Sequence, residues 1–142
     1  MQKATIQDIP AIKQLLIDNK LPVEDLNKQI NFFMEKDKNQ VICVGGLEKH
    51  GKYSLIRSIA VDDNFKGTGL GSKMTDFLIK QAKFQNFEGV YLLTLTAEKF
   101  FPKFGFQKIS RDQTPPEIKS SSEFSSVCPD SAVVMELRLN PL

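Results

Sequence analysis

The sequence predicts an α+β fold built on one mixed, mostly antiparallel sheet. Two observations carry that prediction. Three runs of strand composition, 31–34, 40–47 and 53–61, follow one another across two short polar turns, Lys36-Asp37-Lys38-Asn39 and Lys49-His50-Gly51-Lys52, and such spacing makes an antiparallel meander. A glycine-rich turn then leads into Leu70, Met74, Phe77, Leu78 and Ala82 at intervals of three and four, and on to the apolar run Gly89 to Leu95. Strand, turn, helix and strand in that order imply a parallel crossover pair. Leu, Ile, Val and Phe together supply 44 of the 142 residues, enough to bury a sizeable core in one domain spanning residues 1–142.

Each element has its own signal. Lys3 to Ile6 reads as a short strand, after which Ile9, Ile12, Leu15 and Leu16 recur at helical spacing behind a cap at Thr5 or Asp8. Asn19-Lys20-Leu21-Pro22 breaks this first helix, and Val23-Glu24-Asp25-Leu26 is expected to begin a second, short one with Pro22 at its first position. The helix that follows the glycine turn is expected to end near Asn86. Ala97 to Phe104 reads as a brief helix held short by Pro102 and stopped by Gly105. A strand near 106–109 comes next, and the alternating Ala132 to Leu139 closes the sheet. Between them Asp112 to Asp130 is a long Pro- and Ser-rich loop with room for a helical turn. Phe124, Val127 and Cys128 give it apolar anchors that linkers lack, so it reads as an ordered loop over the site.

Composition excludes several function classes. Nineteen basic residues against seventeen acidic give a formal charge of +2, too little for a nucleic-acid surface. No run reaches the length of a membrane span, and Met1-Gln2-Lys3 leads into neither a signal nor a transit peptide, so a cytoplasmic location is expected. Cys43 and Cys128 are far apart and His50 is the one histidine; neither a disulfide framework nor a metal site is indicated.

The chemistry points to Asp63-Asn64-Phe65-Lys66-Gly67-Thr68-Gly69-Leu70-Gly71-Ser72. Alternating glycines let the backbone curl so that several amides point inward, and the following helix N-terminus adds partial positive charge. Such a nest suits a pyrophosphate. A P-loop would need Lys before Ser rather than Ser72-Lys73, and a dinucleotide fingerprint would need glycine at position 72. On glycines alone, a plain connecting turn is an equal reading.

The order of that segment, its helix and strand, and Phe100-Phe101-Pro102-Lys103-Phe104-Gly105-Phe106 resembles the GNAT family of acetyl-CoA-dependent N-acetyltransferases over nearly the whole chain. The family's pyrophosphate motif, Arg or Gln, two residues, Gly, one residue, Gly or Ala, is met from Lys66 through Gly69 to Gly71, with Lys at the first position. Local motifs also resemble the arsenic-resistance-associated subgroup, through Gly45-Gly46-Leu47-Glu48 and Leu55-Ile56-Arg57-Ser58, and the acetyltransferase domain of N-acetylglutamate synthases. The resemblance implies a three-layer α/β/α fold whose sheet is splayed between its fourth and fifth strands. It also implies acetyl-CoA as co-substrate. The backbone of Ile59, Ala60 and Val61 would pair with the pantetheine arm in the splay, beside Thr94. Lys66 and the amides of Gly67, Thr68, Gly69, Leu70, Gly71 and Ser72 would hold the pyrophosphate. Phe100 and Phe101 would flank the cofactor, with ordinary core packing an equal reading for each.

Two departures concern the chemistry. The tyrosine that many family members place four residues before the glycine of the closing Gly-Phe is Phe101 here, which has no proton to give, and the usual strand carboxylate is absent from Leu55-Ile56-Arg57-Ser58. The second hairpin supplies other candidates. If Lys49 pairs with Lys52, period-two alternation puts Glu48, Tyr53 and Arg57 on one face. Arg57 would anchor an anionic part of the acceptor and Glu48 would bind or deprotonate its amine; a structural Glu–Arg pair is the competing reading. Ser122, Glu123 and Ser131 are further contacts if the long loop covers the acceptor. Cys128 reads best as packed and His50 as a solvated turn residue. The function expected is acetyl transfer to a primary amine of a small, carboxylate-bearing molecule, with a homodimer left open. The alternatives are a protein-lysine or N-terminal acetyltransferase and a non-catalytic acetyl-CoA-binding module.

Overall fold

A computed structural model describes residues 1–124 and 131–139 of the chain. Seven strands make one sheet: β1 (Gln2–Lys3), β2 (Ile30–Asp37), β3 (Gln40–His50), β4 (Tyr53–Val61), β5 (Gly89–Thr94), β6 (Gln107–Ile109) and β7 (Val133–Arg138). Their order across the sheet is β1-β2-β3-β4-β5-β7-β6. Every pairing is antiparallel except β4 with β5, which is parallel and joined through a helix. The meander and the crossover expected from the sequence are therefore both present.

The helices are α1 (Ile9–Asp18), α2 (Leu70–Phe84) and α3 (Pro116–Lys119). Alternation along β2 and β3 sorts the core into layers. Phe33, Cys43, Leu47 and Ile56 face Met74, Leu78, Ile79 and Ala82 of α2. On the opposite face Phe32, Met34, Val44 and Ala60 meet Ile12, Leu15 and Leu16 of α1, and Leu55 and Tyr91 meet Ile118 of α3. This is the three-layer arrangement the resemblance implies. The helix α2 lies so close to β3 that a Cβ on Gly45 would stand 2.6 Å from Met74 Cγ.

Four local expectations are corrected. No second helix forms at 23–26, which is irregular chain with turns; Asp25 is drawn onto Arg57 at 2.6 and 2.7 Å, and Asn27 Nδ2 donates to the Asp25 carbonyl. The first strand ends at Lys3 rather than Ile6, because Asp8 accepts hydrogen bonds from the Thr5 amide and hydroxyl and closes a 3-10 turn over Ile6–Asp8. In the second hairpin His50 pairs with Tyr53 rather than Lys49 with Lys52, since Gly51, at φ +63°, sits at the first position of a two-residue turn. The shift is by two residues, so Glu48, Tyr53 and Arg57 keep a common face. The brief helix expected over 97–104 is a 3-10 turn, Phe101–Phe104, ended by Gly105 at φ +100°. In the long loop Arg111–Gln113 and Pro116–Lys119 are helical turns; Val127 and Cys128 lie outside the described residues.

The fully buried Leu78 joins α2 to the sheet. Leu78→Ala is expected to lower unfolding stability by about 2–5 kcal/mol, read as a fall in the urea midpoint with unchanged slope.

Candidate active site

The site begins with an interruption in β4. Register between β3 and β4 shifts between Val44 and Gly46, and Ser58 takes φ +60° there, so β4 bulges and bends. Its pairing with β5 covers only Tyr53–Leu55 against Gly89–Tyr91, although both strands continue. A cavity of about 210 Å³ opens where they part, lined by Ile56, Arg57, Ser58 and Ile59 on one side and Leu92, Leu93 and Thr94 on the other. Phe101 and Glu123 also line it, with Leu21, Pro22, Thr96 and Ala97.

From Ile59 a second cavity of about 440 Å³ runs along Ala60 and Val61 to Lys66, Gly67, Gly69, Leu70, Gly71, Ser72 and Phe100. Gly67 and Gly69 adopt φ of +82° and +89°, and a Cβ on either would meet nothing within 4 Å. These glycines thus set the curl of the chain and leave open space above it. The amides from Gly67 to Ser72 donate to no acceptor among the described residues; the first helical bond of this turn is from Lys73 to the Gly69 carbonyl, 3.0 Å. Together with the α2 N-terminus this has the geometry of the backbone nests in which anions are generally held. Thr68 is absent from the cavity wall, and its hydroxyl donates to the Phe65 carbonyl. Lys66 extends to Asp63 at 2.8 Å, so its charge is already partnered.

Two residues that the sequence did not single out stand beside the nest. Lys103 Nζ lies 4.2 Å from the Phe100 ring centroid and 3.1 Å from Ser72 Oγ, which brings a cation to the helix N-terminus. Its signal was present in the Phe-Phe-Pro-Lys run. Asn19 donates to the Val61 carbonyl at 3.3 Å, and only the fold could reveal that.

On the other face of the sheet Arg57 is buried among three carboxylates. Asp25 grips its fork at 2.6 and 2.7 Å, Glu123 meets Nε at 3.2 Å, and Glu48 lies 3.8 Å from Nη1. Ser122 donates to Asp25 at 2.6 Å. Burial alone would raise the Asp25 and Glu48 carboxyls; hydrogen bonds from Arg57 and Ser122 to the first, and from His50 and Asn27 with the Arg57 charge to the second, outweigh it and hold both below the usual carboxylate range. Glu123 goes the other way. Burial, with Asp25 and Glu48 nearby, pushes it up to about 7 against the pull of Arg57.

Of the acceptor candidates, Arg57 and Glu123 reach the splay, whereas Glu48 and Ser122 line a separate cavity of about 460 Å³ with Asn27 and His50. His50 is therefore partly buried against Glu48 at 2.9 Å rather than solvated. Tyr53 packs edge-on against Tyr91, 5.6 Å away, away from both cavities. Ser131 is exposed. Thr94 accepts from the Ala97 amide at 2.9 Å, and Phe101 stacks edge to face with Phe100 at 5.0 Å. No cluster of metal-ligating side chains occurs among the described residues.

The acetyltransferase (GNAT) domain model matches residues 28–108, more than half of the chain. The chain belongs to the GNAT acetyltransferase family. It is accordingly an acyltransferase with acetyl-CoA as co-substrate. Among solved structures, Rv2747 from Mycobacterium tuberculosis in complex with CoA and NLQ is 25% identical, with TM-score 0.79 over 98% of each chain. A GNAT acetyltransferase from Staphylococcus aureus MU50 is 18% identical, TM-score 0.74, over 97% of each chain. N-acetylglutamate synthase from Neisseria gonorrhoeae, complexed with coenzyme A and N-acetyl-glutamate, is 16% identical with TM-score 0.79, covering 99% of this chain and 34% of that one. The N-acetylglutamate synthase likeness is thus met among these GNAT structures; the arsenic-resistance subgroup is not among the three. No described helix is long and apolar enough to cross a membrane.

Gly69→Val places a β-branched side chain at φ +89°, a conformation that costs about 1–2 kcal/mol and tilts the nest. CoA affinity measured by calorimetry is expected to fall at least about tenfold, equivalent to about 1.4 kcal/mol.

Proposed function

We propose that this chain transfers the acetyl group of acetyl-CoA to a primary amine of a small molecule that also carries a carboxylate. The observation that carries the reading is the unpaired stretch of β4. Past Leu55 its outer edge faces a cavity instead of β5, and that cavity leads along Ile59, Ala60 and Val61 to the unbonded amides of the glycine turn. A pantetheine arm would lie there as an added strand, backbone to backbone, beside Thr94. Its diphosphate would rest on the amides of Gly67 to Ser72, with Lys66 and Lys103 as nearby cations, and Phe100 and Phe101 would flank the arm.

Arg57 supports this acceptor class. It is the single basic side chain lining the splay among the described residues, and its planar fork suits a carboxylate. Asp25 occupies that fork from a segment without regular structure. An acceptor carboxylate would take the place of the Asp25 carboxylate, like for like, so the guanidinium would not be left bare in a buried site.

Calorimetry with acetyl-CoA, followed by a screen for CoA release with amines that differ only in bearing or lacking a carboxylate, tests the proposal. Release is expected with the carboxylated member of each pair; equal kcat/KM for both members overturns the carboxylate requirement. Arg57→Lys keeps the charge and loses the fork. The acceptor KM is expected to rise about ten- to a hundredfold, with the KM for acetyl-CoA within about twofold of wild type.

A further inference from the structure

Acetyl transfer needs a neutral amine, yet an alkyl amine is mostly protonated near neutral pH. A base within reach of the thioester must therefore take a proton, and neither Phe101 nor the Leu55-Ile56 stretch of β4 can do so. Resting on the acetyl-transfer reading, we propose that the Glu123 carboxylate is this base, and that it receives the ammonium proton of the acceptor at the wall of the β4–β5 splay.

Glu123 is the single carboxylate lining the splay cavity among the described residues, and it shares that wall with Ser58, Ile59, Thr94 and Phe101. Glu48, the nearest rival, lines the other cavity and is tied to His50 at 2.9 Å and Asn27 at 3.1 Å. Asp25 is spent on both ends of the Arg57 fork and on Ser122. One guanidinium faces three carboxylates, Asp25 from the irregular segment, Glu48 from β3 and Glu123 itself, with His50 behind Glu48. The excess of negative charge draws in an ammonium. Glu123 and Arg57 stand 3.2 Å apart, a spacing that lets one molecule offer its amine to the first and its carboxylate to the second.

Proton affinity agrees. Asp25 and Glu48 are held below the usual range and are weak bases, whereas Glu123 is raised to about 7, near the value at which a base is both unprotonated and effective in neutral solution. Glu123 takes one proton from the ammonium; the nitrogen lone pair attacks the thioester carbonyl carbon and the C–N bond forms. As the C–S bond breaks, the sulfur leaves with the electron pair and accepts the second nitrogen proton, giving the amide and the thiol of CoA. Glu123 then returns its proton to solvent.

The test compares wild type, Glu123→Gln and Glu123→Asp for acetyl-CoA affinity, kcat and the pH dependence of kcat/KM. Because the carboxylate form is the active one, wild-type activity is expected to rise with pH through about 7. The Gln variant is expected to bind acetyl-CoA as wild type does, to lose about a hundredfold or more in kcat, and to lack that limb. The Asp variant keeps the limb with intermediate kcat. A Gln variant within about threefold of wild-type kcat, or a wild-type profile with no limb between about pH 5.5 and 8, overturns the proposal whether or not every variant folds. If wild type binds no acetyl-CoA, the acetyl-transfer reading fails on its own. A carbon-13 titration of the Glu123 carboxyl in the free chain still decides the base, with a midpoint near 7 in its favour and one below about 5 against it.

Discussion

The β4 and β5 strands hydrogen-bond only where Tyr53–Leu55 meets Gly89–Tyr91, and the bulge at Ser58 turns β4 away from its parallel neighbour beyond that point. A parallel edge left unpaired inside a domain is costly unless something else meets its backbone groups. Here the gap sits between two apolar layers that are otherwise complete, one under α2 and one under α1 and α3. The sheet therefore keeps its packing on both sides of the opening. The glycine turn at the α2 N-terminus lines the adjoining cavity, which meets the splay at Ile59, so one strand irregularity aligns both.

The opposite face shows how charge is tolerated near such an opening. Arg57 is buried because three carboxylates from separate segments surround it. Removing any one leaves a different imbalance, since Asp25 fixes the irregular segment, Glu48 fixes the hairpin through His50, and Glu123 ties the long loop to β4. Such a cluster contributes less to stability than to holding segments in place.

Much of this was legible in the residues. The Gly67, Gly69 and Gly71 spacing located the nest without any knowledge of the sheet, because backbone curl depends on local sequence. The shared face of Glu48 and Arg57 followed from period-two alternation and survived a register error of two residues. What escaped detection depends on distance along the chain. Asp25 lies 32 residues from Arg57, and that tertiary pull overrode the local helical pattern at 23–26. The separation of Glu48 from the splay also arises from the third dimension, since parity assigns a face and not a cavity. Lys103 was visible as a residue but not as a neighbour of Ser72, 31 positions away.

Cys43 lies fully buried beneath the first turn of α2, with its sulfur directed at the Leu70 carbonyl 3.9 Å away. Burial pushes its thiol up to about 12, so almost no thiolate exists in neutral solution. Alkylation of this sulfur requires that α2 lift from β3. The rate at which a small electrophile modifies Cys43 is therefore a clock for opening of the N-terminal end of α2, built into the chain without any added label.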